Sequence, residues 1–303
     1  MPATLDSRQL LAFATLAESK SFTLAAKQLF LTQSAISHSI KNLENDIGCK
    51  LFERVGKKTL LSEAGEKFLP TAQKILSDME TARQEIDAYN NPGKSRIRIG
   101  TSNTVCQYFL PAVLKQLKLQ YPECSIHIES VDTPQMLEAI NQNQIDTGIS
   151  IAPEGIHSCK YYPLFTDELR FIAPTDHPWA IKSRVNREEF SQQNFLIYST
   201  SSYTFRLIKN HFEREDTKIN RFVEIGSMEA IKEMVKIGMG IGILAPWTIS
   251  DELSQGSLVT LPLGRRKLVR NWGLSFLKGK PITALEKSFL DLCEEQAEQT
   301  NLH

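Results

Sequence analysis

Ser21–Leu61 reads SFTLAAKQLFLTQSAISHSIKNLENDIGCKLFERVGKKTLL, and its pattern decides the fold of the N-terminal part of the chain. Ser21-Phe22-Thr23 offers a hydroxyl N-cap for a short helix over Leu24–Leu29, and Ala25 and Ala26 are small enough to let another helix cross closely. Phe30-Leu31-Thr32 makes a turn, and Thr32 caps a further helix over Gln33–Glu44. That helix divides cleanly. Ile36, Ile40 and Leu43 share one face, which buries against its neighbours. Gln33, Ser34, Ser37, His38 and Lys41 lie on the other. Upstream, Leu10, Leu11, Phe13, Ala14 and Leu16 outline one more amphipathic helix.

A solvent face of amides, hydroxyls and one cation suits base edges and phosphates, and a helix N-terminus also suits phosphate. The spacing predicts a helix-turn-helix whose third helix enters the major groove. Downstream, Lys50–Arg54 and Lys57–Leu61 bracket Val55-Gly56. Two short strands with a basic tip form a wing, from which Arg54, Lys57 and Lys58 reach flanking phosphate or minor groove. A polar face or a Gly-Lys-Lys tip alone is ordinarily a solvated surface; the order and spacing together carry the reading. Residues 1–62 hold eight Lys and Arg against five Asp and Glu, although the whole chain balances at 35 of each. The basic character is therefore local.

Residues 5–65 closely resemble the winged helix-turn-helix of the LysR-type transcriptional regulators. The resemblance rests on Ser21-Phe22, Thr32-Gln33-Ser34-Ala35-Ile36-Ser37, Leu43-Glu44, Leu51-Phe52-Glu53-Arg54 and Ser62-Glu63-Ala64-Gly65, with Ser62 standing for the usual Thr. It implies DNA contacts by Thr32, Gln33, Ser34 and Ser37, with Arg54 and Lys57 in the wing; His38 and Lys41 are added from their facing alone.

Beyond the wing, Phe68, Leu69, Ala72, Ile75, Leu76, Met79, Ala82, Ile86 and Tyr89 recur at helical steps. One long helix with a narrow apolar stripe follows, and such a stripe calls for a partner helix, hence a homodimer. Asn90-Asn91-Pro92-Gly93 then marks a hinge. From Arg96 the pattern becomes short apolar strands alternating with helices. Strands are expected at Arg96–Gly100, Ser125–Val131, Ile145–Ile151, Leu169–Ala173, Phe195–Tyr198, Phe222–Ile225, Gly240–Ala245 and Trp272–Leu277. Helices are expected at Tyr108–Gln120, Gln135–Asn141, Phe205–Glu213, Met228–Ile237 and Ile282–Gln299. The fold class is α/β with mostly parallel sheets.

Polar strand ends recur at Gly100–Thr104, Ser130–Thr133, Ser150–Ala152, Ser199–Tyr203 and Gly226–Met228. Open parallel sheets bind ligands beyond the carboxyl ends of their strands, so these ends point to a pocket for a small anion between two lobes. For any single Ser or Thr, an ordinary N-cap is the simpler account. This region also resembles the family's two-lobed, periplasmic-binding-protein-like effector domain, through Ile97–Gly100, Leu110-Pro111, Gln144–Ile149, His177-Pro178 and Val235–Pro246. By that resemblance the chain holds a DNA-binding domain over 1–62, a linker and dimerisation helix with its hinge over 63–93, and an effector domain over 94–303. Lobe I comprises 94–163 and 270–303, and lobe II comprises 164–269. Ser102, Thr104, Thr200, Ser201 and Ser202 become the expected effector contacts. A tetramer on an imperfect palindrome is implied as well.

With 303 residues, 41% hydrophobic and 23% charged, the chain is neither disordered nor fibrous. Ile237–Ile249 is too short to span a bilayer. The start MPATLDSRQLL shows no secretory pattern. Its five cysteines are scattered with no CxxC pair, so a reduced, cytoplasmic protein is expected. Gly238–Gly242 follows a helix and opens a strand, the reverse of a dinucleotide loop. Gly148–Ala152 runs into Pro153 rather than a helix, against a nucleophile elbow. The six histidines show no metal-ligand spacing. No enzyme, metal or cofactor is expected. The competing reading is a thiol switch at Cys106, beside the proposed pocket.

Overall fold

The computed structural model describes residues 4–55, 58–90, 95–155, 158–186, 189–217, 219 and 221–299. The chain forms two compact units, one of residues up to Ser95 together with Asn141–Gln144, the other of Arg96–Ile140 and the residues from Ile145 onward.

In the first unit, α1 (Ser7–Ser19), α2 (Phe22–Gln28) and α3 (Gln33–Ile47) start on Asp6, Ser21 and Thr32, whose side chains accept backbone N–H groups of the first turn. Helix α3 runs three residues past the expected Glu44 and stops at Gly48, whose φ of +81° suits a residue without Cβ. Leu10, Phe13, Leu16, Ala25, Ala26, Ile36, Ile40 and Leu43 close the core. Strands β1 (Phe52–Val55) and β2 (Lys58–Leu61) pair antiparallel, Phe52 opposite Leu61. Lys57 and the Asn91–Gly93 part of the hinge lie outside the described residues.

Helix α4 (Glu63–Asn90) follows directly. Phe68, Leu69, Ala72, Ile75 and Leu76 pack into the core behind α1, whereas Met79 and Ile86 remain exposed. The first half of the apolar stripe is therefore covered by the chain itself, while Met79 and Ile86 of the second half stand uncovered. The joint around Leu51 explains two sequence motifs at once. Glu44, buried at the end of α3, accepts the N–H groups of Leu51 at 3.0 Å and Phe52 at 3.4 Å. Its other oxygen meets the Lys50 ammonium at 2.5 Å. Ser62 donates to the Lys50 carbonyl at 2.6 Å and accepts the Gly65 N–H at 3.0 Å. A Cβ on Gly65 would stand 2.1 Å from the Leu51 carbonyl oxygen.

The second unit opens with β3 (Arg96–Thr101), α5 (Asn103–Tyr108), α6 (Leu110–Gln120), β4 (Ser125–Ser130), α7 (Thr133–Asn141) and β5 (Thr147–Ile151). The long strand β6 (Cys159–Pro174) leads to α8 (Pro178–Ile181), β7 (Phe195–Ile197), α9 (Tyr203–Glu213), β8 (Phe222–Glu224), α10 (Met228–Lys236) and β9 (Ile241–Leu244). The unit then continues through α11 (Ser250–Ser254), β10 (Leu258–Pro262), β11 (Leu268–Leu277) and α12 (Ala284–Gln299).

The strand order is β4-β3-β5-β11-β6-β9-β7-β8, with β10 beside β6. The flanks β4-β3-β5 and β9-β7-β8 are parallel. The centre is antiparallel, through β11 with β5 and β6, β6 with β9, and β10 with β6. The expectation of mostly parallel sheets holds only for the flanks, because β6 and β11 run in opposite directions and serve both lobes. One lobe is built on β4-β3-β5-β11, with Ile97, Ile99, Leu110, Val113, Ile149, Leu274 and Phe289 in its core. The other is built on β6-β9-β7-β8, around Phe171, Trp179, Phe190, Phe195, Phe212 and Ile241.

Two further departures have plain causes. The helix expected over Tyr108–Gln120 divides at the buried Phe109, because Pro111 has no N–H to continue the preceding turn. Strand β6 begins ten residues before the expected Leu169. Its first half, CKYYPLFT, is broken by Lys160 and Pro163, which hides it from an apolar-run criterion.

Candidate functional site

On α3 the buried and exposed residues part along the helix. Ile36, Ile40 and Leu43 are buried; Gln33, Ser34, Ser37, His38 and Lys41 are exposed. Thr32 is exposed too, with its hydroxyl holding the Ala35 N–H at 3.2 Å and the Ser34 hydroxyl at 3.0 Å. His38 Nδ1 lies 3.2 Å from Asn42 Nδ2. Arg54 lies on β1. The Glu44 and Ser62 contacts fix where the wing begins relative to α3. The result is a polar helix face with free donors and acceptors, carried on an apolar core.

In the second unit, strand ends of both lobes surround a cavity of about 460 Å³. Ser102 and Thr104 line it after β3, and Ser201 and Ser202 after β7. The hydroxyls of Ser102 and Ser202 also cap α5 and α9, accepting the N–H groups of Val105 at 3.4 Å and Phe205 at 3.1 Å. Thr200 is not part of the cavity wall. Its N–H and hydroxyl donate to the Glu224 carboxylate at 3.2 and 2.7 Å, which holds that carboxyl below its usual range; the hydroxyl is the largest influence. Thr200 thus braces the loop that presents Ser201 and Ser202. The Gly226–Met228 turn contributes only Met228 to the wall.

Several wall residues escaped the sequence reading. Arg270, buried on β11, forms a two-pronged ion pair with Asp167, Nε–Oδ1 2.8 Å and Nη2–Oδ2 2.5 Å, and donates to the Thr204 hydroxyl at 3.1 Å. Trp247 Nε1 also donates to Asp167, at 2.9 Å. The guanidinium lies 5.0 Å from the Trp272 ring centre. A cation two positions before a tryptophan inside an apolar strand was the available signal. Asp132 is the other. Its Oδ1 accepts the Thr133 N–H at 2.8 Å, capping α7, while its Oδ2 accepts the Tyr203 N–H at the start of α9 in the opposite lobe.

Other bonds join the lobes at the cavity rim. Asn103 donates to the Tyr198 hydroxyl and accepts from Ser130 at 2.6 Å. Gln107, at 3.0 Å, and Tyr108 both donate to Glu229. Burial, then the Glu229 contact, pushes the Tyr108 phenol up to about 12. Burial acts to raise the Glu229 carboxyl, but the Lys232 ammonium at 2.8 Å outweighs it and the group falls below its ordinary value. Cys106, half-buried on α5, is a free thiol, while Cys124, Cys159 and Cys293 are buried. Among the described residues no cluster of three or more metal-ligating side chains occurs, and no helix is long and apolar enough to cross a membrane.

Residues 7–66 match the family described as bacterial regulatory helix-turn-helix protein, lysR family, and residues 90–298 match the LysR substrate binding domain. The chain is similar to YwqM of Bacillus subtilis, an uncharacterized HTH-type transcriptional regulator: 30% identical over 298 residues, 95% of this chain and 98% of that one. It is likewise similar to the HTH-type transcriptional activator CmpR of Synechocystis, 30% identical over 279 residues, 92% of this chain and 91% of the other. The solved structure of ArgP from Mycobacterium tuberculosis shares the fold, with a TM-score of 0.73 at 18% identity over 97% of this chain and 98% of that one.

Proposed function

Because this chain belongs to the LysR family of transcriptional regulators, with a DNA-binding and an effector-binding domain, we propose that it reads a specific operator through α3 and is switched by a small anionic effector held between the lobes of its second unit. The observation that carries the first half is the division of α3 into a buried apolar face and an exposed face of Gln33, Ser34, Ser37, His38 and Lys41. Amide and hydroxyl groups on a helix entering the major groove discriminate base edges. Thr32 at the helix start, with Arg54 and Lys57 in the wing, adds backbone contacts that set register.

The domains are those of the sequence reading: 1–62 for DNA, 63–93 for linkage and dimerisation, and 94–303 for the effector, lobe II spanning 164–269. The exposed second half of the α4 stripe, with Met79 and Ile86, supports a homodimer through that helix. The two winged helices of a dimer then read the half-sites of an imperfect palindrome, and two such dimers form a homotetramer in the cytoplasm.

For the effector, the support is the polar wall of the cavity and the N–H groups at the starts of α7 and α9, where a carboxylate oxygen already fits. An effector controls DNA binding only through unequal affinity for two arrangements of the protein.

Replacing Gln33 with Ala is expected to weaken binding to the cognate operator by roughly 1–3 kcal/mol while leaving affinity for random duplex unchanged, measured by titration at fixed salt. Equal losses on both duplexes would sink direct readout by Gln33.

A further inference from the structure

Among the described residues, Asp132 is the acidic side chain on the cavity wall, and no basic side chain forms an ion pair with it. Arg270, the wall's cation, already has its charge matched by the two-pronged Asp167 pair and one further N–H on Thr204, and among the described residues no ion pair within 4 Å involves the Asp132 carboxylate. That carboxylate reaches from the α7 start in one lobe to the Tyr203 N–H in the other. It takes the place on α9 where a free anion would be held most strongly. A second feature points to an occupant: Trp272 lines the same cavity, and its buried indole N–H has no acceptor among the described residues. Buried donors are ordinarily satisfied, so this N–H is a group that an oxygen atom brought against Trp272 would satisfy. The remaining rim bonds, Asn103 with Tyr198 and Gln107 with Glu229, do not put an unpaired charge on the wall.

We propose that Asp132 is an internal competitor for the effector: its carboxylate occupies the α9 start in the empty cavity and ties the lobes together, and an anionic effector binds by displacing it. This rests on the anionic reading of the cavity. The displacement exchanges one carboxylate for another on the same N–H groups and breaks a bond between lobes. A ligand too small to disturb the wall therefore changes how the lobes are held. The competition also sets sensitivity, since a site available for a tenth of the time binds about tenfold more weakly than the same site left open.

The test uses the full-length protein and acetate and sulfate as probes, titrated calorimetrically at constant ionic strength with chloride as filler. Asp132→Ser keeps a hydroxyl cap for α7 but is too short to reach Tyr203; Asp132→Asn keeps the size and removes the charge. Both are expected to take up a probe anion about tenfold more tightly than the unaltered chain. Glu129→Gln, which removes a charge from the exposed face of β4, is expected to change nothing. Equal affinity in the unaltered chain and both Asp132 variants would overturn the competition and leave the anionic cavity standing. An equal gain from Glu129→Gln would reduce the effect to net charge and overturn it too. No uptake by any form would remove the anionic reading itself, and this inference with it.

Discussion

On α3, Gln33, Ser37 and Lys41 stand in solvent, and the bonds that hold their scaffold lie among near neighbours: Thr32 with Ala35, Glu44 with Leu51, Ser62 with Gly65. Around the cavity the polar groups are already engaged with distant parts of the chain. Asp132 meets Tyr203, Asn103 meets Tyr198, Thr200 meets Glu224, and Arg270 meets Asp167. A surface that reads an external polymer keeps its readers idle on a rigid local frame. A pocket for a small molecule stores its polar groups in mutual contacts that a ligand must replace.

That contrast can be broken at its most heavily engaged point. Arg270→Met leaves the Asp167 carboxylate buried with only the Trp247 N–H. A loss of about 3–5 kcal/mol is expected, as an earlier urea transition of the second unit while the DNA-binding unit unfolds where it did before. A shared shift in both would mean that the two units are not independent. The counterpart in the first unit is Gly65→Ala. The new Cβ meets the Leu51 carbonyl, and a loss of about 2–4 kcal/mol is expected, abolishing operator binding and leaving the second unit's transition in place. Retained operator affinity would show that the joint between α3, wing and α4 yields more easily than its geometry implies.

A smaller effect sharpens the comparison by pH. His211, buried on α9 with Nε2 unpartnered among the described residues, is held below its ordinary value, burial outweighing the nearby Glu215. The unfolded chain therefore takes up this proton first. Stability of the second unit is level above the ordinary histidine value of about 6.5 and declines as pH falls from there towards the lowered value of the folded state. His211→Leu should flatten that decline in urea titrations at several pH values; an unaltered slope would assign it elsewhere. The smallest effect separates the ligand reading from the thiol reading. Cys106→Ser should leave operator binding unchanged with and without peroxide, and a peroxide response lost in this variant would favour the thiol switch instead.

The legibility of the two units in sequence follows the same division. Ser21 and Thr32 as caps and the apolar face of Ile36, Ile40 and Leu43 are decided within a turn or two, so residue type and spacing suffice; Gly48, the stop of α3, was passed over in favour of an end at Glu44. Ser102, Thr104, Ser201 and Ser202 were readable as strand-end residues because each strand ends locally. Asp132, although inside the strand end Ser130–Thr133, was not singled out, and Arg270 was not readable. Their roles depend on Tyr203 and Asp167, about 70 and 100 positions away, and no periodicity encodes a partner at that distance. Thr200 shows the reverse case: local chemistry placed it with Ser201 and Ser202, and Glu224 on a neighbouring strand turned it aside. The central antiparallel strands were missed in part because β6 carries Pro163 where an uninterrupted run was sought.

Strands β6 and β11 pair along both lobes, and their register shifts between Trp272 and Gly273. At Gly273 a Cβ would lie 2.3 Å from the Tyr162 carbonyl oxygen, so the two strands press closest beside that irregularity. The irregularity falls at Trp272, a residue that also lines the cavity. A molecule resting against Trp272 therefore touches the strands that both lobes share.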